Sequence, residues 1–328
     1  MGFEINNRRY IGSKATLADW ILDAIPVEFT GGSFFDAFSG TGVVASAVSS
    51  RFSRLILNDL LFSNEVIYKG FFGDKKFDLE AMEVLTPLAH SLASRENYFS
   101  RSYGGKYFTQ EDARLIGAYR LAIDKVFPDL QDRNRYVALA SLLFSADRSA
   151  ITVGHYEAYL KSGKNRPFTF DLINPKVLPV EIYRQDANQL ARNISCDVAY
   201  LDPPYNSRQY SRFYHVLEIL TKWDEPTLFG VARKPAPENI SDYCKKAAPT
   251  SLEDLVTNLD AKFILISYNN TYSSKSGSSR NKISLEQIET IARAKGRTTV
   301  LEKPYKHFNA GNTNFSDHRE FLFKIEVG

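Results

Sequence analysis

The sequence predicts an α/β protein: a doubly wound, mainly parallel sheet that carries a mostly helical insertion. Three observations support this. Six short apolar runs rich in β-branched and aromatic residues, at 33–38, 54–58, 197–201, 262–267, 298–301 and 320–327, read as largely buried strands. The first runs directly into a glycine turn, Ser39-Gly40-Thr41-Gly42, and then a helical pattern, the strand-turn-helix unit of an open parallel sheet. Between about Phe72 and Pro179 helical patterns dominate, a stretch far too long for an ordinary connection. A sheet-bearing domain is therefore expected at 1–71 and 180–328, with a helical domain inserted at 72–179.

The elements follow in order. Leu17, Trp20, Ile21, Ala24 and Ile25 form one stripe, which predicts a helix over 14–25 stopped by Pro26. Strand 33–38, the glycine turn and strand 54–58 come next, the last ending beside Asp59. Within the insertion, Thr109 precedes Gln110-Glu111-Asp112 and the apolar period Leu115, Ile116, Tyr119, Ile123, a capped helix start. A second helix is expected over 133–146. Residues 181–183 are strand-like, and strand 197–201 runs into Asp202-Pro203-Pro204-Tyr205. Irregular structure is expected over 221–251 and a Ser-rich loop over 272–279. The last two strands lie close in sequence, which suggests an antiparallel edge joined by a loop around 309–317.

Composition narrows the class. Hydrophobic residues make up 44% and charged residues 24% of the 328, enough apolar material for a real core. A net charge of +3 does not demand a nucleic-acid partner, so any basic surface must be local. Two cysteines, Cys196 and Cys244, cannot staple a fold of this size and have no metal-ligand spacing; a reducing cytoplasm is expected, with no metal. The polar, basic N-terminus has no apolar signal core, and no apolar run reaches the ~18 residues needed to span a bilayer.

Two motifs point to chemistry. The segment from Phe34 to Ala45 places Asp36 and Phe38 ahead of Gly40 and Gly42, whose lack of Cβ lets backbone approach a ligand. Asp59 follows Gly40 by nineteen residues, matching the spacing of about 20 for a carboxylate that binds ribose hydroxyls. The pattern also satisfies G-x-G-x-x-A, so an NAD(P)-dependent oxidoreductase stands beside any other adenosine-binding reading. Asp202-Pro203-Pro204-Tyr205 separates them. Two prolines cannot continue a central strand, so the segment must leave the sheet at its carboxyl edge, where ligands bind in such folds. An exocyclic amino nitrogen such as adenine N6 is a poor nucleophile because its lone pair is delocalised. The Asp202 carboxylate and Pro203 carbonyl can accept its two hydrogens, and Tyr205 offers a face for the base; such stacking contributes ~1–3 kcal/mol.

At these residues the chain resembles the DNA-adenine-methylase (Dam) type of amino-methyltransferase. Asn7 to Lys14 are similar to that family's N-terminal motif, so Tyr10 and Lys14 would contact the cofactor's methionine portion. Phe38-Ser39-Gly40-Thr41-Gly42 resembles its cofactor loop, Asp59 its ribose-binding acid and Asp186 the acid near the cofactor's adenine ring. Asp202 to Tyr205 match the catalytic tetrapeptide without substitution. The extension from Asn206 to His215, and Gly154 to Tyr159, are most similar to FokI-type modification methylases of restriction-modification systems. The resemblance implies a class I S-adenosylmethionine-dependent methyltransferase fold, S-adenosylmethionine as cofactor, double-stranded DNA as substrate and a possible cognate restriction endonuclease. It further implies a target-recognition role for the insertion and methyl transfer to an adenine N6 flipped out of the duplex.

The basic residues Arg8, Arg9, Arg101, Lys106, Arg133, Arg135, Arg148, Lys161, Lys164, Arg166, Arg208 and Arg212 fall where a duplex would lie, and phosphate contacts are expected of them. RNA adenine, cytosine N4 and a protein glutamine amide remain as alternative targets of the same chemistry. A DNA-binding module without activity is a further reading, disfavoured by the intact Asp202–Tyr205 segment. Cytosine-C5 chemistry needs an activated cysteine, which the sequence does not offer.

Overall fold

The fold is described from a computed structural model over residues 2–160, 166–205, 207–271, 281–304 and 318–328. The chain forms two compact units. One comprises 14–60, 181–209 and 239–328, the other 1–13, 61–180 and 210–238.

The first unit holds a seven-stranded sheet. Its strands are β1 (Ser33–Asp36), β2 (Arg54–Asn58), β3 (Glu181–Tyr183), β4 (Ser195–Leu201), β5 (Asp260–Asn269), β6 (Arg297–Pro304) and β7 (Arg319–Glu326). They lie in the order β3-β2-β1-β4-β5-β7-β6. β7 runs antiparallel to both its neighbours, and the remaining pairings are parallel. This is the doubly wound, mainly parallel sheet expected. Adjacent phenylalanines of β1 serve opposite faces. Phe35 joins Ala199, Ile264 and Phe323 in a core with Leu190, Leu252, Leu255 and Ile288 of the helices Ala187–Ala191, Ala248–Asn258 and Leu285–Lys295. Phe34 packs on Phe52, and Phe263 on Phe29, so the segment around β1 covers the other face.

The final strands pair antiparallel, but with a distinction the sequence did not reveal: β7 sits inside the sheet, between β5 and β6. Its apolar residues Leu322, Phe323 and Ile325 are buried, whereas β6, rich in Thr, Glu and Lys, is exposed along most of its length. A charged strand is suited to an edge. The helix expected over 14–25 is shorter, Ala18–Asp23, because Lys14 sits in a turn that accepts the Leu17 amide. Of the irregular stretch expected at 221–251, the end is helical, Ala248–Asn258. The Ser-rich loop at 272–279, the loop around 309–317, Lys161, Lys164 and Asn206 lie outside the described residues.

The second unit is mostly helical. Its long helices, Gln110–Val126 and Arg133–Ser149, are capped by Thr109, which accepts the Asp112 amide, and Asp132, which accepts the Asn134 amide. Gly73 and Leu178 exchange backbone hydrogen bonds at the base of this helical stretch, close to the sequence-drawn bounds of 72–179. The unit extends beyond those bounds. Phe3 pairs with the backbone around Ile173, and the buried Glu218 accepts the amides of Phe62 and Ser63 at the start of the helix Phe62–Phe71.

Candidate active site

Parallel strands bring their carboxyl ends to one edge of the sheet, and the antiparallel β7 brings its amino end there. Across the order β3, β2, β1, β4, β5, β7, that edge carries Asp186, Asp59, Asp36, Asp202, Ser267 and Glu320. The strand order reverses between β1 and β4, the usual place for a ligand crevice in an open sheet.

The glycine turn follows β1. Gly40 and Gly42 have φ of 51° and 76°, left-handed values that a β-branched residue would adopt only under strain. Gly42 is the N-cap of the helix Val43–Val48, and the turn is closed by its amide donating to the Ser39 carbonyl at 2.7 Å. One carboxylate oxygen of Asp59 accepts the Gly40 amide at 3.0 Å, so this acid braces the turn. Phe38 meets the ring of Tyr243 edge-on, 5.0 Å between centroids. Asp186 caps the helix Ala187–Ala191 by accepting the amides of Asn188 and Gln189.

Asp36 ends β1 fully enclosed. Among the described residues, neither of its carboxylate oxygens has a hydrogen-bond partner of normal geometry. Burial pushes its pKa well above the usual carboxylate range, and the neighbouring charges of Asp202 and Asp59 add to this, while the Phe38 amide and the Ser39 hydroxyl work against it. A buried acid with few donors around it is suited to a ligand that brings a positive charge or its own N–H groups.

Asp202 stands at the tip of β4, followed by the buried Pro203 and the half-buried Pro204. Its Oδ1 accepts the hydroxyls of Tyr205 and, at 3.0 Å, Ser267; its Oδ2 pairs with Lys14 Nζ at 3.0 Å. Lys14 also pairs with Glu320 Oε1 at 3.2 Å, donates to the Tyr205 hydroxyl and lies 4.8 Å from the centre of that ring. Burial pulls the Lys14 pKa down, but the charges of Asp202 and Glu320 outweigh it and hold the group at about 12, so it stays an ammonium. Burial, then Asp202 and Glu320, push the Tyr205 hydroxyl well above its ordinary value, which keeps it neutral. The Tyr205 ring packs edge-on against Tyr268, and its backbone carbonyl accepts the Lys282 amide at 2.8 Å and the Tyr268 hydroxyl at 3.3 Å. The loop is thus held at several points.

Of the residues singled out from the sequence, Lys14, Asp36, Phe38, Gly40, Gly42, Asp59, Asp186 and Asp202 to Tyr205 all belong to this unit. Tyr10 belongs to the helical unit, where it stacks on Tyr214 at 4.6 Å and on Tyr210 at 5.4 Å, with the Arg8 guanidinium 4.9 Å from its ring centre. Sequence reasoning missed Ser267 and Glu320. Glu320 was read only as the start of a strand, yet it is a buried carboxylate whose pKa burial drives upward. An acid at the mouth of an otherwise apolar strand was the available signal.

Cysteine chemistry finds little support. Burial pushes the thiols of Cys196 and Cys244 up to about 12, far from a thiolate nucleophile. Among the described residues no cluster of His, Cys, Asp or Glu could hold a metal ion, and no helix is long and apolar enough to cross a membrane.

Known proteins share this sequence at length. The profile of the D12 class N6 adenine-specific DNA methyltransferases matches residues 10–292. Type II methyltransferase M.NlaIII of Neisseria lactamica is 31% identical, the alignment covering 97% of this chain and 98% of the relative. Type II methyltransferase M.CviAII of Paramecium bursaria Chlorella virus 1 is 30% identical, over 98% of this chain and 99% of the relative. Type II methyltransferase M.FokI of Planomicrobium okeanokoites is 29% identical over 97% of this chain, which spans only about half (52%) of that longer protein. With a profile match over most of its length and relatives aligned end to end, the chain belongs to the D12 class of N6 adenine-specific DNA methyltransferases.

Proposed function

We propose that this adenine-N6 DNA methyltransferase uses S-adenosylmethionine as methyl donor and grips the target amino group at the tip of β4. The observation that carries this reading is the row of groups along the sheet edge, in which Asp202 of the Asp-Pro-Pro-Tyr segment neighbours the enclosed Asp36 and the turn-bracing Asp59. The residues fit the donor. Asp36, buried without adequate partners, suits a cationic ligand; Gly40 and Gly42 keep the turn free of Cβ atoms; Asp59 suits ribose hydroxyls. Lys14, Phe38 and Asp186 complete the proposed cofactor set of this unit.

S-adenosylmethionine supplies an electrophilic methyl group when bound. The chain's own task is to hold and orient the amino nitrogen. The Asp202 carboxylate and Pro203 carbonyl accept its two hydrogens, which draws the nitrogen toward tetrahedral geometry and localises its lone pair. Tyr205 provides the stacking face and Pro204 stiffens the segment. Direct transfer then needs no covalent enzyme intermediate, and orientation is the main source of acceleration, worth ~7–11 kcal/mol in well-aligned reactions. Because N6 lies inside a duplex, the base must be flipped out, at a cost of a few kcal/mol. The helical unit, 72–179 with its flanking segments, is proposed to read double-stranded DNA. The names of the relatives, type II methyltransferases, support a cognate restriction endonuclease acting on the same site.

Calorimetric titration tests this reading. S-adenosylmethionine is expected to bind the wild-type chain and NADH not to bind. Gly42→Val is expected to abolish donor binding, because a β-branched side chain at φ 76° both strains and fills the turn. Binding of NADH without S-adenosylmethionine would favour the oxidoreductase reading instead.

A further inference from the structure

The hydroxyls at the tip of β4 are shared between two carboxylates. The Tyr205 hydroxyl has one proton and two acceptors, Asp202 Oδ1 and, at 3.1 Å, Glu320 Oε1. Ser267 has one proton and the same pair of acceptors, 3.0 Å to Asp202 Oδ1 and 3.5 Å to Glu320 Oε1, while its oxygen takes the Tyr200 hydroxyl proton at 3.0 Å. Lys14 divides its ammonium between them in the same way, 3.0 Å to Asp202 and 3.2 Å to Glu320. Three donors thus face one acceptor the reaction needs and one it does not.

The sharing matters because Asp202 is heavily occupied. Its Oδ1 takes two hydroxyl protons and its Oδ2 faces an ammonium. A carboxylate offers about four lone-pair sites. Three of those sites are taken, so an amino hydrogen entering this carboxylate competes with the donors already there, and a buried hydroxyl left without an acceptor is unfavourable. Glu320 supplies the alternative acceptor within hydrogen-bond reach, with no movement of the backbone. It is itself buried and held across the β5–β7 pairing, where it faces Asn269.

We propose that Glu320 is a positioning residue for methyl transfer: it takes over the Tyr205 and Ser267 hydroxyls and the Lys14 ammonium, freeing Asp202 to accept the amino hydrogens of the base. This rests on the assignment of Asp202 as the acceptor for the target nitrogen. Glu320 acts through its neighbours and need not touch the substrate. It explains why an acid is buried at the mouth of β7, where an apolar residue would pack more simply.

The test is a double-mutant cycle in methyl transfer from labelled S-adenosylmethionine to unmethylated plasmid DNA, with Glu320→Gln and Tyr205→Phe. Glu320→Gln is expected to lower kcat about 10- to 100-fold while KM for donor and DNA moves less than about threefold. Tyr205→Phe removes one of the three shared donors, so adding Glu320→Gln to it should cost less than Glu320→Gln costs in the wild-type background. Glu320→Asp keeps the charge but draws it back by one methylene, and should fall between wild type and Glu320→Gln; it replaces Glu320→Gln in the cycle if that variant does not fold. A wild-type kcat in Glu320→Gln, or losses that simply multiply in the double variant, would overturn the proposal. Asp202→Ala, assayed alongside, separates the two layers. If it is inactive while Glu320→Gln runs at full speed, only the role of Glu320 falls; if Asp202→Ala stays active, the assignment of Asp202 falls and the role of Glu320 with it.

Discussion

Asp197 shows how a single acid can matter away from the chemistry. On β4, its carboxylate accepts the Ser33 amide and hydroxyl, both at 2.8 Å, and pairs with Lys262 at 2.7 Å, tying β1, β4 and β5 together. The hydrogen bond from Lys262 and those from Ser33 hold its pKa down at about 2. The folded value lies below the unfolded one of about 3.9, so its contribution is fully present above about pH 4 and is lost as pH falls through the folded value. Asp197→Asn should therefore unfold at lower urea than wild type at pH 6, with the gap closing between pH 4 and pH 2; a gap that is constant with pH would contradict this. The residues of the candidate site were proposed from the sequence where the motif is written contiguously, as in Asp202 to Tyr205 and Gly40 to Gly42. Ser267 and Glu320 were not, because their meeting depends on which strand pairs with β5. Alternation along a strand says which face a residue takes and nothing about its neighbour.

Strands and caps were easier to read than helix lengths. Thr109 was found because a capping hydroxyl must precede its helix by a fixed interval, whereas the helix expected over 14–25 lost its first turn to Lys14, whose side chain is committed to two carboxylates. The helix Phe62–Phe71 makes the converse point: its N-cap, Leu61, has no capping side chain, and Glu218 does the work from another helix. No local pattern could reveal that. Removing the acid would leave two amides at a buried helix start without their acceptor, each costing about 1–3 kcal/mol. Glu218→Ala should lower the unfolding free energy by roughly 2–6 kcal/mol in denaturant titration. A change below about 0.5 kcal/mol, within the range of an ordinary surface substitution, would show that water or another donor arrangement replaces the cap.

Each compact unit is assembled from three separate stretches of chain. The texture of the sequence changes clearly at the long helical block, so that block was visible. The short stretches 1–13 and 210–238 carry too little periodicity to declare their unit, and what assigns them is pairing at a distance, such as Phe3 with the backbone around Ile173. The sheet, in contrast, was legible nearly throughout, since buried parallel strands are continuous apolar runs. The proposal that the sheet sets an acceptor for an amino nitrogen beside a place for a methyl donor has a direct measurement. Genomic DNA from cells expressing the chain, in a host lacking its own adenine methylation, is digested to nucleosides and analysed by mass spectrometry. Wild type should yield N6-methyladenine, and Asp202→Ala, produced at the same level, none. Methyl groups on cytosine instead, or N6-methyladenine undiminished in the variant, would contradict the account.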